Sequence, residues 1–159
     1  MLSKEFLEDT FYYDDGVLRW KRKTGKSVVI GKEAGFTDSR GYRRIRLFGR
    51  FEGVHRLIFL LFNGYLPEVV DHVDRNKLNN RIENLRECTK AQNEKNRKKY
   101  TNNKTGVKNV YKTKDKYYTV EFKLKGVRVF QKCCKTLEEA AEIAKEMRGK
   151  LHGDFACHE

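Results

Sequence analysis

Hydrophobic and polar positions divide the chain into three zones. In the first, from residue 11 to about 47, the run Tyr12-Tyr13-Asp14-Asp15-Gly16-Val17-Leu18-Arg19-Trp20 reads as strand, turn, strand. Aromatic and β-branched residues flank an Asp-Gly pair, the local signature of a two-residue hairpin. Residues 41–47 alternate large or apolar residues with arginines, which predicts a strand with one buried and one cationic face. In the second zone, residues 55–62 form an apolar block that predicts a helix stopping at Asn63-Gly64. Pro67 breaks the chain before a short strand, Val69-Val70-Asp71-His72. A polar loop over 74–83 follows, with Asn76, Asn79 and Asn80 as its turn residues, then a returning strand over 85–88. Thr89 is a suitable N-cap for a helix starting at Lys90. In the third zone three strands are expected, around 107–111, 117–124 and 127–130, with Gly126 in the second turn. Thr136 then caps a helix from Leu137 to about Lys150, with Glu138 and Glu139 in the turn where the macrodipole favours acids. Residues 97–104 carry no core pattern and read as a basic linker.

The expected fold class is α+β in two small units. A β-rich segment and a strand–strand–helix core occupy 1–96. A three-stranded antiparallel sheet with one packing helix occupies 105–159. The composition agrees: 38% hydrophobic and 36% charged residues over 159 positions suit several small cores better than one large one. The net charge of +13 changes the picture more. It says little about fold but favours a polyanionic partner. A membrane surface is a poor candidate, since no long amphipathic helix with a bulky apolar face is visible and the longest apolar run, 57–62, cannot span a bilayer. The cysteines, Cys88, Cys133, Cys134 and Cys157, form no C-x-x-C pair, so they read as reduced thiols rather than a zinc knuckle. The first ten residues are polar and acidic, unlike a signal peptide.

The chemistry concentrates in the second zone. Asp71 and His72 close a strand, and Asn93 lies on the capped helix beyond the returning strand. A carboxylate and an amide oxygen are hard donors, suited to a magnesium-like ion whose shell water and a substrate phosphate would complete. An imidazole beside them can take a proton from water. Water, base and metal together make a phosphodiester hydrolase. Neighbouring strand residues point to opposite faces, so Asp71 and His72 serve one site only if the strand ends or bulges there. Asn96 shares much of the helix face of Asn93 and competes with it as ligand. His55 is expected to brace the fold or touch phosphate. A calcium loop is excluded, because the alternating oxygen ligands and central glycine are missing after Asp71 or Asp74.

The sequence Val70-Asp71-His72-Val73-Asp74-Arg75-Asn76-Lys77-Leu78-Asn79-Asn80-Arg81-Ile82-Glu83-Asn84-Leu85-Arg86, with His55-Arg56-Leu57 before it and Gln92-Asn93 after it, resembles the core of HNH homing endonucleases from phages and introns. The resemblance spans roughly residues 11–96. It implies a ββα-metal fold, Asp71 and Asn93 as metal ligands, His72 as general base, and Asn84 as the central asparagine that braces the loop and helps position the histidine. An asparagine stands where the family name has its last histidine. This H-N-N variant favours magnesium or manganese over zinc. The resemblance also implies residence in the cytosol of a phage-infected or bacterial cell.

The third zone resembles the DNA-binding domain of plant ethylene-response (Apetala-type) factors. The matching motifs are Thr105-Gly106-Val107-Lys108-Asn109-Val110-Tyr111, Tyr117-Tyr118-Thr119-Val120, Lys135-Thr136-Leu137-Glu138-Glu139-Ala140-Ala141 and His152-Gly153-Asp154-Phe155-Ala156. It implies a sheet laid in the major groove and backed by a helix. The residues agree: Lys108, Lys112, Lys123, Lys125 and Arg128 interleave with tyrosines, Tyr117 among them, on strands of a width the groove accepts. Lysine reads guanine less well than arginine, so base specificity should be weaker than, or different from, that of the plant domains. In the first zone Arg44 and Arg46 share one strand side and can track phosphates.

The expected function is therefore magnesium- or manganese-dependent hydrolysis of double-stranded DNA by a monomer, nicking one strand at a preferred site. The alternative is a catalytically silent DNA-binding regulator on a nuclease fold. An RNA-binding protein is disfavoured, because neither an RNP-like aromatic signature nor a GXXG loop occurs.

Overall fold

A computed structural model of the chain describes residues 2–96 and 103–156. Most of the expected linker, and Cys157, lie outside the described residues. The structure is α+β, and it divides into two compact units, Met1–Lys90 and Ala91–Glu159.

The first unit opens with helix α1 (Lys4–Thr10), which the polar N-terminus did not predict; Ser3 caps it, its hydroxyl accepting from the Phe6 amide at 3.2 Å. Strands β1 (Phe11–Asp14) and β2 (Val17–Trp20) form the expected hairpin. Asp15 and Gly16 both take positive φ in its turn, the conformation an Asp-Gly pair tolerates. Strands β3 (Phe36–Thr37), β4 (Arg43–Leu47) and β5 (Arg50–Gly53) make an antiparallel sheet with β4 at its centre. Only β4 was expected.

Helix α2 (Val54–Asn63) is the apolar block, and Gly64 closes it in the left-handed conformation. It buries Val54, Leu57, Ile58, Phe59 and Leu60 in one core with Leu7, Phe11, Leu18, Ile45, Leu47, Val70 and Leu85. Every sheet of the unit therefore contributes to the core around α2. Strands β6 (Val69–His72) and β7 (Leu85–Cys88) pair antiparallel in unbroken register, with Asp71 opposite Arg86 and His72 opposite Leu85. A 3-10 turn at Ile82–Asn84 leads into β7. Helix α3 (Lys90–Lys95) follows directly, so the chain order is strand, strand, helix as expected.

The second unit holds strands β8 (Val110–Lys112), β9 (Tyr118–Leu124) and β10 (Val127–Cys134), paired antiparallel with β9 central, and helix α4 (Leu137–His152). Val110, Val120, Phe122, Cys134, Ala140 and Ala144 form its core. Thr136 caps α4 as expected, its hydroxyl accepting from the Glu139 amide at 3.2 Å. Strand β8 starts later than the apolar pattern suggested. The Asn103 carboxamide oxygen accepts from the Thr105 and Gly106 amides and holds that stretch as a loop. Among the described residues no helix is long and apolar enough to cross a membrane.

Candidate active site

Asp71 and His72 both lie buried at the end of β6, 8% and 5% exposed. The strand stops at His72, as a shared site requires, and it does so without a bulge. The backbone turns immediately, the Arg75 amide donating to the His72 carbonyl at 3.0 Å and Arg75 taking a positive φ.

The two side chains are held by different partners. Nε and Nη2 of Arg86 donate to Oδ2 of Asp71 at 3.0 and 2.9 Å, in a pair shielded from solvent. The register causes this, because residues directly opposite in an antiparallel pair share a face. The His72 ring instead meets the His55 ring at 5.1 Å and the Tyr42 ring at 6.2 Å. Its Nε2 lies 2.9 Å from Oδ1 of Asn80, a residue 4% exposed. An amide oxygen only accepts, so this contact makes Nε2 the protonated nitrogen and leaves the lone pair of a neutral ring on Nδ1.

Around this centre the loop is stapled by asparagines. Nδ2 of Asn84 donates to Oδ1 of Asp74 at 2.9 Å and to the Asn79 carbonyl at 2.7 Å, while its Oδ1 accepts from the Asp74 amide at 3.0 Å. Asn79 and the Asn76 amide also donate to the Asp74 carboxylate, at 2.6 and 2.8 Å. Burial alone would raise the carboxyl of Asp74, but these bonds from Asn79, Asn76 and Asn84, with the nearby His72, lower it from the ordinary value. The β1–β2 hairpin props the loop from outside: Arg81 pairs with Asp15, and the Ile82 amide donates to the Tyr13 hydroxyl at 3.2 Å.

Electrostatics separate the two histidines. Burial first, then His72, Arg56 and Arg44, push His55 down to about 3. His55 is therefore neutral near pH 7, and its buried Nδ1 has no hydrogen-bond partner among the described residues. The Tyr42 hydroxyl is raised by burial, then by Asp71 and Asp38. Tyr42 thus senses Asp71 electrostatically while its ring lies near that of His72.

The remaining expected residues divide as follows. Asn93 lies on α3, in the second unit, half-buried. The Asn96 amide donates to the Gln92 and Asn93 carbonyls, and Asn96 itself is buried. Arg44 and Arg46 sit on one side of β4. In the second unit Lys123 and Arg128 are paired across β9 and β10 and both reach Glu121, at 3.0 and 2.8 Å. Lys125 holds the following turn at positive φ, and Tyr117 is half-exposed just before β9. Two positions differ from a common cationic face. Strand alternation gives Lys112 the side of the sheet that Val110 takes into the core, and Lys108 precedes β8, its carbonyl accepting from Arg148 at 2.5 Å.

A magnesium-like ion suits the chemistry of this donor set. Asp71 supplies a carboxylate with two oxygens and about four lone-pair sites, so a guanidinium on Oδ2 and a cation on the same group are compatible. Oxygen donors without a thiolate favour a hard divalent ion. Among the described residues no group of three or more His, Cys, Asp or Glu side chains that could hold a metal ion is found.

Sequence reasoning missed Asn80 and Arg86. Asn80 was explained as a turn residue, and its burial against His72 depends on a tertiary fold the local pattern does not show. Arg86 could have been found: once the hairpin register is written out, it falls opposite Asp71.

Comparison with known proteins bears on the family of the chain. The profile of the HNH endonuclease family matches residues 52–95, which span β5 to α3 and include Asp71, His72, Asn80, Asn84 and Asn93. An uncharacterized HNH endonuclease of Acanthamoeba polyphaga mimivirus is 34% identical over 135 residues, covering 83% of this chain and 70% of the relative. The chain belongs to the HNH endonuclease family. No solved structure matches the chain.

Proposed function

We propose that the chain is a divalent-metal-dependent DNA endonuclease that nicks one strand of duplex DNA. The observation that carries this is the contact between Nε2 of His72 and Oδ1 of Asn80 at 2.9 Å beside the buried Asp71. It supports a ring whose lone pair, on Nδ1, takes the proton from the attacking water. That water forms the new bond to phosphorus, the 3′ oxygen leaves, and the products carry a 5′ phosphate and a 3′ hydroxyl. Asp71 would hold a magnesium or manganese ion, which would supply stabilisation of charge on the phosphate. Asn84 acts through the loop, keeping residues 74–84 in the shape that presents Asn80 to His72.

Arg44 and Arg46 track phosphates along the first unit, and the second unit adds affinity and site preference as an ethylene-response-factor-like sheet. Its open face carries Lys123 and Arg128, with Lys125 and Tyr117 near the strand ends. Glu121 offsets part of that charge, which supports weaker phosphate contact there than a lysine count suggests. One active site per chain supports nicking by a monomer. The test is conversion of supercoiled plasmid with magnesium, with manganese and with EDTA, His72→Ala beside the wild type. Relaxed circles from the wild type alone, lost in EDTA, are expected. Equal cleavage by His72→Ala removes His72 from its role.

A further inference from the structure

The outward face of the β3–β4–β5 sheet is not an ordinary solvated one. Register sets Phe36 opposite Arg44 and Arg46 opposite Phe51, while Ile45 and Leu47 take the other face into the core. Two phenylalanines and two arginines therefore alternate on the solvent side. Phe36 and Phe51 meet edge to face at 5.6 Å, and the guanidiniums of Arg44 and Arg46 stand 6.0 and 5.8 Å from the Phe51 centroid, in cation–π range. Arg44 is further tied to the Phe51 carbonyl and faces Asp38. No ion pair engages Arg46 or Arg50 among the described residues.

The tip of this hairpin is stranger. Phe48 and Gly49 join β4 to β5 with φ of 49° and 78°. Two-residue turns with positive φ at both positions favour Asn-Gly, and a bulky side chain there is strained. Phe48 is nevertheless 63% exposed, touching Phe6 at a ring distance of 4.9 Å. Arg22, Lys23 and Arg46 line the shallow cavity beside these two rings. Strain kept without burial in return points to a surface in use.

We propose that the β4–β5 hairpin is a base-stacking wedge. Phe48 stacks on an unpaired base of the DNA, and Lys23, Arg46 and Arg50 hold the flanking phosphates. Exposed rings set among cations match a partner that offers flat π-faces and negative charge in alternation, as locally unpaired DNA does. The inference rests on the nuclease reading above.

The test is fluorescence anisotropy of the full chain, in EDTA so that nothing is cut, on two short labelled duplexes. One is fully paired and the other carries a central run of mismatches. Phe48→Asn gives the turn the residue its geometry prefers, so the hairpin keeps its fold. Phe48→Leu keeps an apolar contact on Phe6 but offers no ring. The wild type is expected to prefer the mismatched duplex. Both variants should bind that duplex about fivefold to a hundredfold more weakly, the value of one lost base–aromatic stack. Their salt dependence should not change, because no phosphate contact is lost. A wild type without preference, or folded variants that keep it, overturns the wedge alone. A wild type that binds neither duplex overturns the nuclease reading and the wedge together.

Discussion

Replacing His55 with phenylalanine should change how the stability of the first unit depends on pH. In the folded protein burial holds His55 down to about 3, against 6.5 for an exposed imidazole. Between those values the unfolded chain binds a proton that the folded chain cannot. The linkage slope is then positive, so stability is greatest above pH 6.5 and falls as pH drops toward 3. One proton of difference is worth about 1.4 kcal/mol per pH unit, which integrates to roughly 2–3 kcal/mol lost between pH 8 and pH 4.5. Phenylalanine cannot titrate and has no orphaned Nδ1, so His55→Phe loses this component. The assay is urea unfolding followed by fluorescence of Trp20. It is the chain's single tryptophan, half-buried against Phe11, and it reports on the first unit. Asp74 and Asp38 have lowered values and also shed stability as pH falls, but both remain in the variant and cancel. Any constant offset from the larger ring cancels too. The wild type should therefore lose roughly 2–3 kcal/mol more than His55→Phe over that range. Parallel pH curves for the two proteins would refute the buried, neutral assignment.

Three further outcomes follow from the same geometry. Asn80→Ala should slow cleavage by about 10–100-fold with DNA affinity unchanged, because a misplaced general base costs orders of magnitude. Ring 15N shifts of His72 at one fixed pH should report a loss of the Nε2-protonated tautomer, and unchanged shifts would count against Asn80. Arg86→Met leaves the Asp71 charge buried without its guanidinium and should cost about 3–5 kcal/mol in the Trp20 transition, with an unchanged midpoint refuting the pair. Gly35→Ala should cost at least about 1–3 kcal/mol in the same transition. Gly35 has φ of 87° and its added Cβ would lie 2.2 Å from the Arg44 carbonyl, so full stability in this variant would place the β3–β4 contact in doubt.

What could be read from the sequence was what is decided locally. The Asp15-Gly16 turn, the apolar α2 with Gly64 at its end, and the Thr136 cap carry their reasons within a few residues, and each is in place. Helix α1 was illegible because it has only seven residues, of which Leu7 and Thr10 alone are buried, too few for a period to show. Strand β10 runs on to Cys134, past the expected Phe130, because it stays paired with β9 as far as Tyr118, through an irregularity near Arg128. In the candidate site, Asp71 and His72 could be singled out by type and place at a strand end, and Asn84 through the family resemblance. Asn80 could not, because its contact with His72 depends on loop closure, whereas Arg86 was within reach once the strand register was written out.

Strand β5 shows a different kind of failure. A hairpin is normally announced by its turn, and Phe48-Gly49 announces nothing. Had asparagine stood at that position, β4 and β5 would have been read as readily as β1 and β2. The local rule was broken at a site where breaking it costs backbone strain and leaves a ring mostly exposed. Packing does not explain that choice, since the ring's main neighbour, Phe6, covers little of it. A sequence that obeys turn chemistry at Asp15-Gly16 and departs from it at Phe48 marks the second hairpin as the one under functional demand. Strand β5 was lost to sequence reasoning for the same physical reason that the hairpin tip is proposed as the wedge.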